Sequence, residues 1–230
     1  MSQNMTPPTT SSSGAEFHFQ ALTPDLILDA IESLGVYPET GLLALNSYEN
    51  RVYQFRSDEG LRYVVKFYRP DRWSDAQIQE EHDYALALAA EDIPIAVPVI
   101  IEGHTLHKYQ GYRFTLFPSL GGRAFEVDNL EQLELVGRFI GRIHQYAAQT
   151  VFAEREPLNP QILGAEPLAW LKQSNLVPNS LRLPFLPSLS KCWLRRMRFG
   201  IAKILRPFVC MAIYTQAIFC GRQMVPDSSI

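Results

Sequence analysis

The sequence lacks the features that mark secreted, membrane-spanning and nucleic-acid-binding proteins. It has only three cysteines in 230 residues, and their odd number and clustering near the C-terminal end fit neither a disulfide framework nor a zinc site. Its net charge of -3 gives no electrostatic support for nucleic-acid binding. The apolar run at residues 208–220 is shorter than the ~20 residues that span a bilayer. We therefore expect a cytoplasmic monomer that binds neither nucleic acid nor a membrane.

The first residues also lack the basic and apolar regions of a signal peptide. The opening stretch "MSQNMTPPTTSSSGAEF" is rich in Ser, Thr and Pro, which predicts a disordered tail over residues 1–16. Beyond it, apolar residues make up 47% of the chain and charged residues 20%, a composition typical of globular proteins with a real core. The length allows one large domain or two small lobes.

The order of predicted elements indicates an α+β fold. "TPDLILDAIESLG" predicts a helix that begins at the N-cap Thr23. Strand formers around the turn "SDEG" predict a hairpin, with a further strand before it at residues 42–45. A second helix capped by Ser74 is followed by another hairpin, with Gly111 at or near its turn, and by the long helix in "DNLEQLELVGRFIGRIHQYAAQ". We therefore expect a mixed sheet that carries one helix, followed by a helical part.

Two charged residues lie where apolar residues are expected. Lys66 is in the middle of the strand "YVVKFY", and Glu81 shares the apolar stripe of the next helix with Ile78, Ala85 and Leu88. A buried charge needs a partner, and kinases use a Lys–Glu pair between a strand and the following helix to hold nucleotide phosphates. In the alternative interpretation, Lys66 lies on an exposed edge strand and Glu81 on a solvated helix edge. The pattern alone leaves both open.

The loop in "LNSYENRVYQF" lies where a kinase places the loop that covers the phosphates. It has none of the glycines of the G-x-G-x-x-G motif. Its small polar residues Asn46, Ser47 and Asn50 can turn the backbone and offer donors to a phosphate, although an ordinary polar hairpin turn has the same composition. His144, near the end of the long helix, is interpreted as a packed structural residue rather than a catalytic one.

Five segments together resemble the stress response kinase A family. They are "LNSYENRVYQF", "VVKFYRPDRWS", "QEEHDYAL", "FPSLGGRAFE" and "VGRFIGRIHQ". This family consists of small bacterial Ser/Thr protein kinases that are related in fold to aminoglycoside and choline kinases, and the resemblance covers about residues 17–187. It implies a protein-kinase-like fold with a β-rich N-lobe at residues 17–118 and a helical C-lobe, here partial, at residues 119–188.

The resemblance also implies roles for individual residues in binding ATP. Ser47 would contact ATP from the phosphate loop, Lys66 would hold the phosphates, and Glu81 would orient Lys66. The segment from Leu116 through Phe117 and Pro118 to residue 119 would be the hinge whose backbone meets the adenine. In the intact family the cofactors would be ATP and Mg²⁺, and a protein would be the second substrate.

The segment that would carry the chemistry of phosphoryl transfer is missing. Transfer needs an Asp to accept the substrate proton and further ligands for Mg²⁺, which this family carries in an H-G-D-x-H-x-x-N loop and a following F-x-D. Between residues 189 and 230 the only acidic residue is Asp227, and histidine is absent. We therefore predict that the chain has no catalytic Asp and no Mg²⁺ site.

The stretch "FVCMAIYTQAIFCG" at residues 208–221 is compatible with the missing loop in another reading frame. When the third base of each codon is grouped with the first two of the next, Met211 followed by Ala212 must give glycine, and the Phe-Cys pair near the end must give leucine. The other positions permit R-L-H-G-D-L-H-P-G-N-I-L-W. We therefore predict that residues 189–230 are a non-native, frameshifted tail. The alternative is a genuine apolar tail whose codons permit the motif by chance.

Three functional hypotheses follow. The chain is an inactive, truncated copy of an ATP-dependent Ser/Thr kinase, or a pseudokinase that binds nucleotide or a partner, or a peripheral membrane protein that binds through its basic and apolar tail. If the C-lobe is incomplete, the apolar side chains Val136, Ile140 and Ile143 of the long helix are expected to be partly exposed.

Overall fold

The computed structural model describes residues 19–120, 126, 128–155 and 161–198, with the backbone alone at 163 and 193–198. The tail predicted at residues 1–16 lies outside the described residues. So does the greater part of the predicted non-native tail, including the stretch at residues 208–221.

The N-terminal part of the molecule is built on a five-stranded antiparallel sheet. The strands follow in the spatial order β1-β2-β3-β5-β4, and their bounds are β1 Leu43–Leu45, β2 Arg51–Arg56, β3 Arg62–Phe67, β4 His107–Tyr109 and β5 Tyr112–Pro118. The middle strand β3 pairs on both sides, so that Lys66 lies opposite Val52 of β2 and Thr115 of β5. The alternative interpretation that placed Lys66 on an exposed edge strand is therefore wrong.

The hairpin between β4 and β5 turns at the predicted glycine. Gln110 and Gly111 both have positive φ angles, 44° and 85°. Positive φ at two successive residues is typical of the tight turns that match the twist of a β-hairpin, and glycine adopts it without steric penalty.

Helix α1, Pro24–Glu32, covers one face of the sheet. Thr23 caps it by accepting a hydrogen bond at Oγ1 from the backbone N–H of Leu26 at 3.3 Å. Ile27, Ala30 and Ile31 are fully buried on its inner side. They pack in a cluster with the sheet side chains Phe55, Val65, Phe67, Tyr112, Phe114 and Leu116, which is the main apolar core of this part.

Helix α2, Asp75–Ala90, lies on the opposite face. A capping box starts it, since Ser74 accepts the backbone N–H of Gln77 and Gln77 accepts that of Ser74. The whole predicted stripe is buried, including Glu81 with 3% of its surface exposed. The other part of the same alternative interpretation, which placed Glu81 on a solvated helix edge, is therefore also wrong.

The helical part begins with α3, Leu130–Ala147, followed by a π-helical turn at Gln161–Ala165, α4 Glu166–Gln173 and α5 Asn179–Arg198. Ile143 of α3 is buried with Tyr84, Leu88 and Ile93, so the prediction of its partial exposure is wrong. Helix α3 reaches the end of α2 and uses this side chain to pack there. Val136 and Ile140 are partly buried, as expected.

Among the described residues, many side chains of α4 and α5 are exposed. Trp170 is 53% exposed and Leu183 is 85% exposed, and apolar side chains of this size are normally buried. Residues 189–198, the described start of the predicted non-native tail, continue the backbone of α5 as a helix. Among the described residues, none of the helices has the combination of length and hydropathy needed to cross a bilayer.

Candidate functional site

The site forms where the middle strand of the sheet meets helix α2. Lys66 Nζ donates a hydrogen bond to Glu81 Oε1 at 3.0 Å. The two side chains are only 2% and 4% exposed. The Lys66 ammonium also lies 4.5 Å from the ring centroid of Tyr68, where the electron-rich face of the ring attracts a cation. The structure therefore brings together the two residues that the sequence singled out.

A third charged residue, which was not predicted from the sequence, completes this group. Arg155 lies between α3 and α4, and its Nη2 donates to Glu81 Oε2. Its Nε donates to the carbonyl of Gln77 at 2.9 Å, and its guanidinium carbon lies 4.5 Å from the ring centroid of Trp73. A single arginine in a loop has no periodicity that would reveal its burial.

The buried carboxylate of Glu81 is stabilised by positive charge. Burial by itself would raise the pKa of Glu81, but the charges of Lys66 and Arg155 outweigh it, so that the pKa lies below its ordinary value. With two cations and one anion, the group carries a formal charge of about +1. The site is therefore suited to hold an anion.

Behind the ion pair lies a chain of neutral hydrogen-bonding groups. The two ring nitrogens of His82 are bonded to the Tyr68 hydroxyl at 2.7 Å and to Thr105 Oγ1 at 2.8 Å, and Thr115 Oγ1 donates to the Thr105 carbonyl at 2.6 Å. Burial is the largest effect that lowers the pKa of His82, to about 4. This histidine is therefore neutral at pH 7, and it adds no charge beside Lys66.

The loop between β1 and β2 lies at the end of the strands next to this group. Ser47 is half-buried, and its Oγ accepts the backbone N–H of Asn50 at 3.3 Å. Asn50 is buried, and its Oδ1 accepts the backbone N–H of Arg69 at 3.2 Å. Trp73 Nε1 donates to Glu49 Oε1 at 2.8 Å. Hydrogen bonds therefore connect the loop to the segment that follows β3. The loop has none of the glycines of a kinase phosphate loop.

The predicted hinge residues lie at the end of strand β5. Leu116 and Phe117 are buried, and Pro118 pairs with Tyr63. Phe117 forms a small apolar cluster with Val52 and Val64 on the same face of the sheet as Lys66. The carbonyl of Leu116 accepts the N–H of Val99 at 2.8 Å, so this group is already engaged within the protein.

The remaining predictions about this region concern metal binding and His144. Within the part of the chain that the structure describes, no three His, Cys, Asp or Glu side chains come together in a way that could hold a metal ion. His144 is half-buried in the last turn of α3. Its interpretation as a packed structural residue stays a prediction.

Comparison with known proteins gives the family. The model of the phosphotransferase enzyme family matches residues 41–199, well over half of the chain. The chain belongs to this phosphotransferase family. The matched range includes the loop at Ser47, both members of the Lys66–Glu81 pair and Arg155.

The relatives within this family are similar over much of the chain but are longer. Stress response kinase A of Shigella flexneri is 47% identical over 170 residues, which cover 74% of this chain and 52% of that protein. Serine/threonine protein kinase RdoA of Salmonella typhimurium is 43% identical over 184 residues, or 77% of this chain and 56% of that protein. The chain thus spans about half the length of the curated relatives it matches. The resemblance to the stress response kinase A family is confirmed.

Solved phosphotransferase structures share the fold at low sequence identity. A complex of amicoumacin kinase with AMP-PNP and Ca²⁺ aligns with a TM-score of 0.52 and 18% identity, over 70% of this chain and 57% of that one. A microcompartment-associated aminopropanol kinase aligns with a TM-score of 0.53 and 19% identity, over 64% and 48%. The predicted α+β, kinase-like fold is confirmed.

Proposed function

We propose that this chain contains the ATP-binding half of a Ser/Thr protein kinase of the stress response kinase A type. The observation that carries the proposal is the fully buried Lys66–Glu81 pair at 3.0 Å. A buried ion pair is no general route to stability, because desolvation offsets much of the attraction. Its place between the middle strand and the following helix instead matches the arrangement that kinases use for the nucleotide phosphates.

The phosphates of ATP would lie between the loop with Ser47 and the ammonium of Lys66. A lysine ammonium has three N–H donors, and Glu81 accepts one of them at 3.0 Å. The others can be directed at phosphate oxygens. Ser47 Oγ accepts from Asn50, and its hydroxyl hydrogen can still be donated to a phosphate.

The adenine would lie against the apolar cluster of Val52, Val64 and Phe117. These side chains share the face of the sheet that carries Lys66, because residues 64 and 66 alternate to the same side of β3. The backbone around Phe117 and Pro118 would supply the hydrogen bonds that distinguish a purine. Leu116 would support the hinge from the opposite face, where its side chain belongs to the main core.

We propose further that the chain in this form binds ATP but does not transfer its phosphate. None of its 230 residues forms an H-G-D-x-H-x-x-N segment, and without that loop the proton acceptor and the Mg²⁺ ligands of the mechanism have no counterpart. Mg²⁺-dependent transfer to protein hydroxyls would then belong to the intact relatives. Location in the cytoplasm and a monomeric state stay predictions.

The binding proposal is tested by isothermal titration of the full chain with ATP, ADP and adenosine. We expect ATP to bind more tightly than adenosine, and Lys66→Met to abolish this preference while adenosine binding persists. Arg142→Ala serves as the control, since Arg142 donates to the Glu91 carbonyl at the far end of α2. Equal ATP affinity in Lys66→Met and the unaltered chain would refute the role given to Lys66.

The proposal on transfer has two tests. Incubation of the purified chain with labelled ATP and Mg²⁺ should leave neither the chain nor a generic protein substrate labelled. Labelling that disappears in Lys66→Ala would show that the missing loop is not decisive. Sequencing of the gene from the codons of Pro187 onward tests the frameshift. If the codons cannot encode His-Gly-Asp in the shifted reading frame, that explanation is refuted.

A further inference from the structure

We propose that Arg155 is a positioning residue for nucleotide binding, which holds the Glu81 carboxylate so that the Lys66 ammonium stays directed at the phosphates. This inference rests on the proposed ATP site and adds to it a residue from outside the sheet and helix α2. Arg155 would act through Glu81 rather than by touching the nucleotide.

The contacts of Arg155 fix its guanidinium in one orientation. One edge donates to Glu81 Oε2, and Nε donates to the Gln77 carbonyl at 2.9 Å. The face of the group lies over the ring of Trp73, with 4.5 Å between the guanidinium carbon and the ring centroid. The side chain is 7% exposed. A planar guanidinium can satisfy two acceptors and a ring at once, whereas a lysine cannot.

The backbone of the same segment is anchored independently of the arginine side chain. The carboxylate of Glu80 accepts the backbone N–H groups of Ala153, Glu154 and Arg155, the last at 2.9 Å. Gln77 Nε2 donates to the Glu154 carbonyl at 2.9 Å. Truncation of the Arg155 side chain therefore removes its contacts with Glu81 while the segment keeps its attachment to α2.

The division of the Glu81 carboxylate between two cations explains why the arginine matters. Lys66 takes Oε1 and Arg155 takes Oε2. Without Arg155, the buried Oε2 atom of Glu81 loses this hydrogen-bond donor. A buried acceptor without a donor costs free energy, so a new hydrogen bond to it would be favoured. Lys66 is the other cation in contact with Glu81, so Glu81 would draw the ammonium away from the phosphates. The charge of the group would also fall from about +1 to 0.

Trp73 extends the same contacts to the phosphate loop. Its ring lies under the Arg155 guanidinium, and its Nε1 donates to Glu49 Oε1 at 2.8 Å. Arg155 thus contacts directly the Glu81 carboxylate that orients Lys66. Through the side chain of Trp73, it also contacts the loop that carries Ser47. Both elements of the proposed phosphate site are stabilised from a segment that follows α3.

The first experiment compares the unaltered chain with Arg155→Ala, Arg155→Lys and the control Arg142→Ala by titration with ATP and adenosine. We expect Arg155→Ala to lower ATP affinity about tenfold and to leave adenosine affinity within about twofold. Arg155→Lys should recover part of the loss, and guanidinium ions added to Arg155→Ala should recover more than equal concentrations of Na⁺. Equal losses for ATP and adenosine would mean a merely structural role and would overturn the inference.

The second experiment needs no nucleotide. The carboxyl of Glu81 is followed by ¹³C NMR through a pH titration, with its signal assigned by Glu81→Gln. The charged or titratable groups near it are Lys66, Arg155 and His82. Removal of Arg155 should raise the pKa of Glu81, because burial is then opposed by fewer positive charges, and Arg155→Lys should raise it less.

The two experiments separate the inference from the proposed function. If the unaltered chain does not prefer ATP to adenosine, the ATP site is wrong, and the inference that Arg155 serves it fails as well. If ATP is preferred but Arg155→Ala neither weakens that preference nor raises the pKa of Glu81, the ATP site stands and the inference alone is overturned. If Arg155→Ala does not fold, Arg155→Lys decides by the same two measurements.

Discussion

The neutral buried histidine predicts how stability depends on pH. His82 has an ordinary pKa of 6.5 and a pKa of about 4 in the folded protein. Between these values the unfolded chain binds a proton that the native state excludes, so the free energy of unfolding falls as the pH is lowered. The stabilisation is complete above pH 6.5 and is lost as the pH decreases through this window. The steepest slope is about 1.4 kcal/mol per pH unit.

The size of the effect follows from the two pKa values. Through His82 alone, lowering the pH from 7 to 5 should decrease the free energy of unfolding by about 2 kcal/mol, and lowering it to 4 by about 3 kcal/mol. His82 is 1% exposed, so solvent screens the effect little. Glu81 and Asp83 favour the protonated ring, while Lys66 and Arg155 oppose it. The combined effect of burial and the two cations is larger than that of the two carboxylates, so the pKa of His82 is lowered.

The assay is urea denaturation of the full chain, followed by far-UV circular dichroism at pH 7, 6, 5 and 4.5. His82→Gln keeps a neutral group that can bond to Tyr68 and Thr105, so its stability should change less with pH than that of the unaltered chain. The pKa of His107 is also lowered by burial. This residue therefore leaves some dependence of stability on pH in both the unaltered chain and His82→Gln. His144→Gln is the control and should keep the full slope.

Two results would refute this reasoning. One is a free energy of unfolding that stays constant between pH 7 and 5 in the unaltered chain. The other is a folded His82→Gln whose stability falls as steeply as before. If His82→Gln does not fold, the ¹³C shift of the His82 ring in the unaltered chain decides, because a ring that gains its proton above pH 6 would contradict the structure.

Three further predictions concern stability and share one measurement, urea denaturation at pH 7. Ile143→Ala should lose about 2 to 4 kcal/mol, because it opens a cavity between α2 and α3; a loss below 1 kcal/mol would mean that α3 does not pack there. Gly141→Ala in α3 should gain about 0.5 to 1 kcal/mol, since a methyl group meets nothing within 4 Å, whereas Gly111→Ala should lose about 1 kcal/mol at its φ of 85°. The same sign for both glycines would contradict the backbone argument. Ser74→Ala should lose about 1 kcal/mol with its capping box, and an unchanged midpoint would argue against that cap.

The parts of the fold that sequence predicts well are those set by local rules. Thr23 and Ser74 cap their helices, and Gly111 turns its hairpin, because the side-chain chemistry and the φ angle needed at these positions favour few residue types. The pairing of Lys66 with Glu81 was one of two interpretations that the apolar pattern left open, and the resemblance to a kinase family favoured it. Two charges that each interrupt an apolar pattern on neighbouring elements can be each other's partner, as they are here.

The parts that escaped prediction depend on contacts between distant residues. Arg155 is separated from Glu81 by 74 positions, and nothing in the loop around it signals that it will be buried. Ile143 was expected to be partly exposed because the helices thought to cover α3 were missing. The actual cover comes from the end of α2 and the segment after it, with Leu88 and Ile93. Local patterns show which side chains need a partner, and tertiary packing decides which partner they find.

The outer strands of the sheet have a consequence for how the protein would self-associate. The edge strands β1 and β4 are only three residues long each, so they offer a short row of unpaired backbone groups to another chain. Short edges disfavour the strand-to-strand addition that leads to cross-β fibres. Exposed apolar side chains also lie on α4 and α5, where Trp170, Leu183 and Phe185 are uncovered. Concentrated solutions should therefore form helix-rich, detergent-reversible oligomers rather than thioflavin-binding fibres.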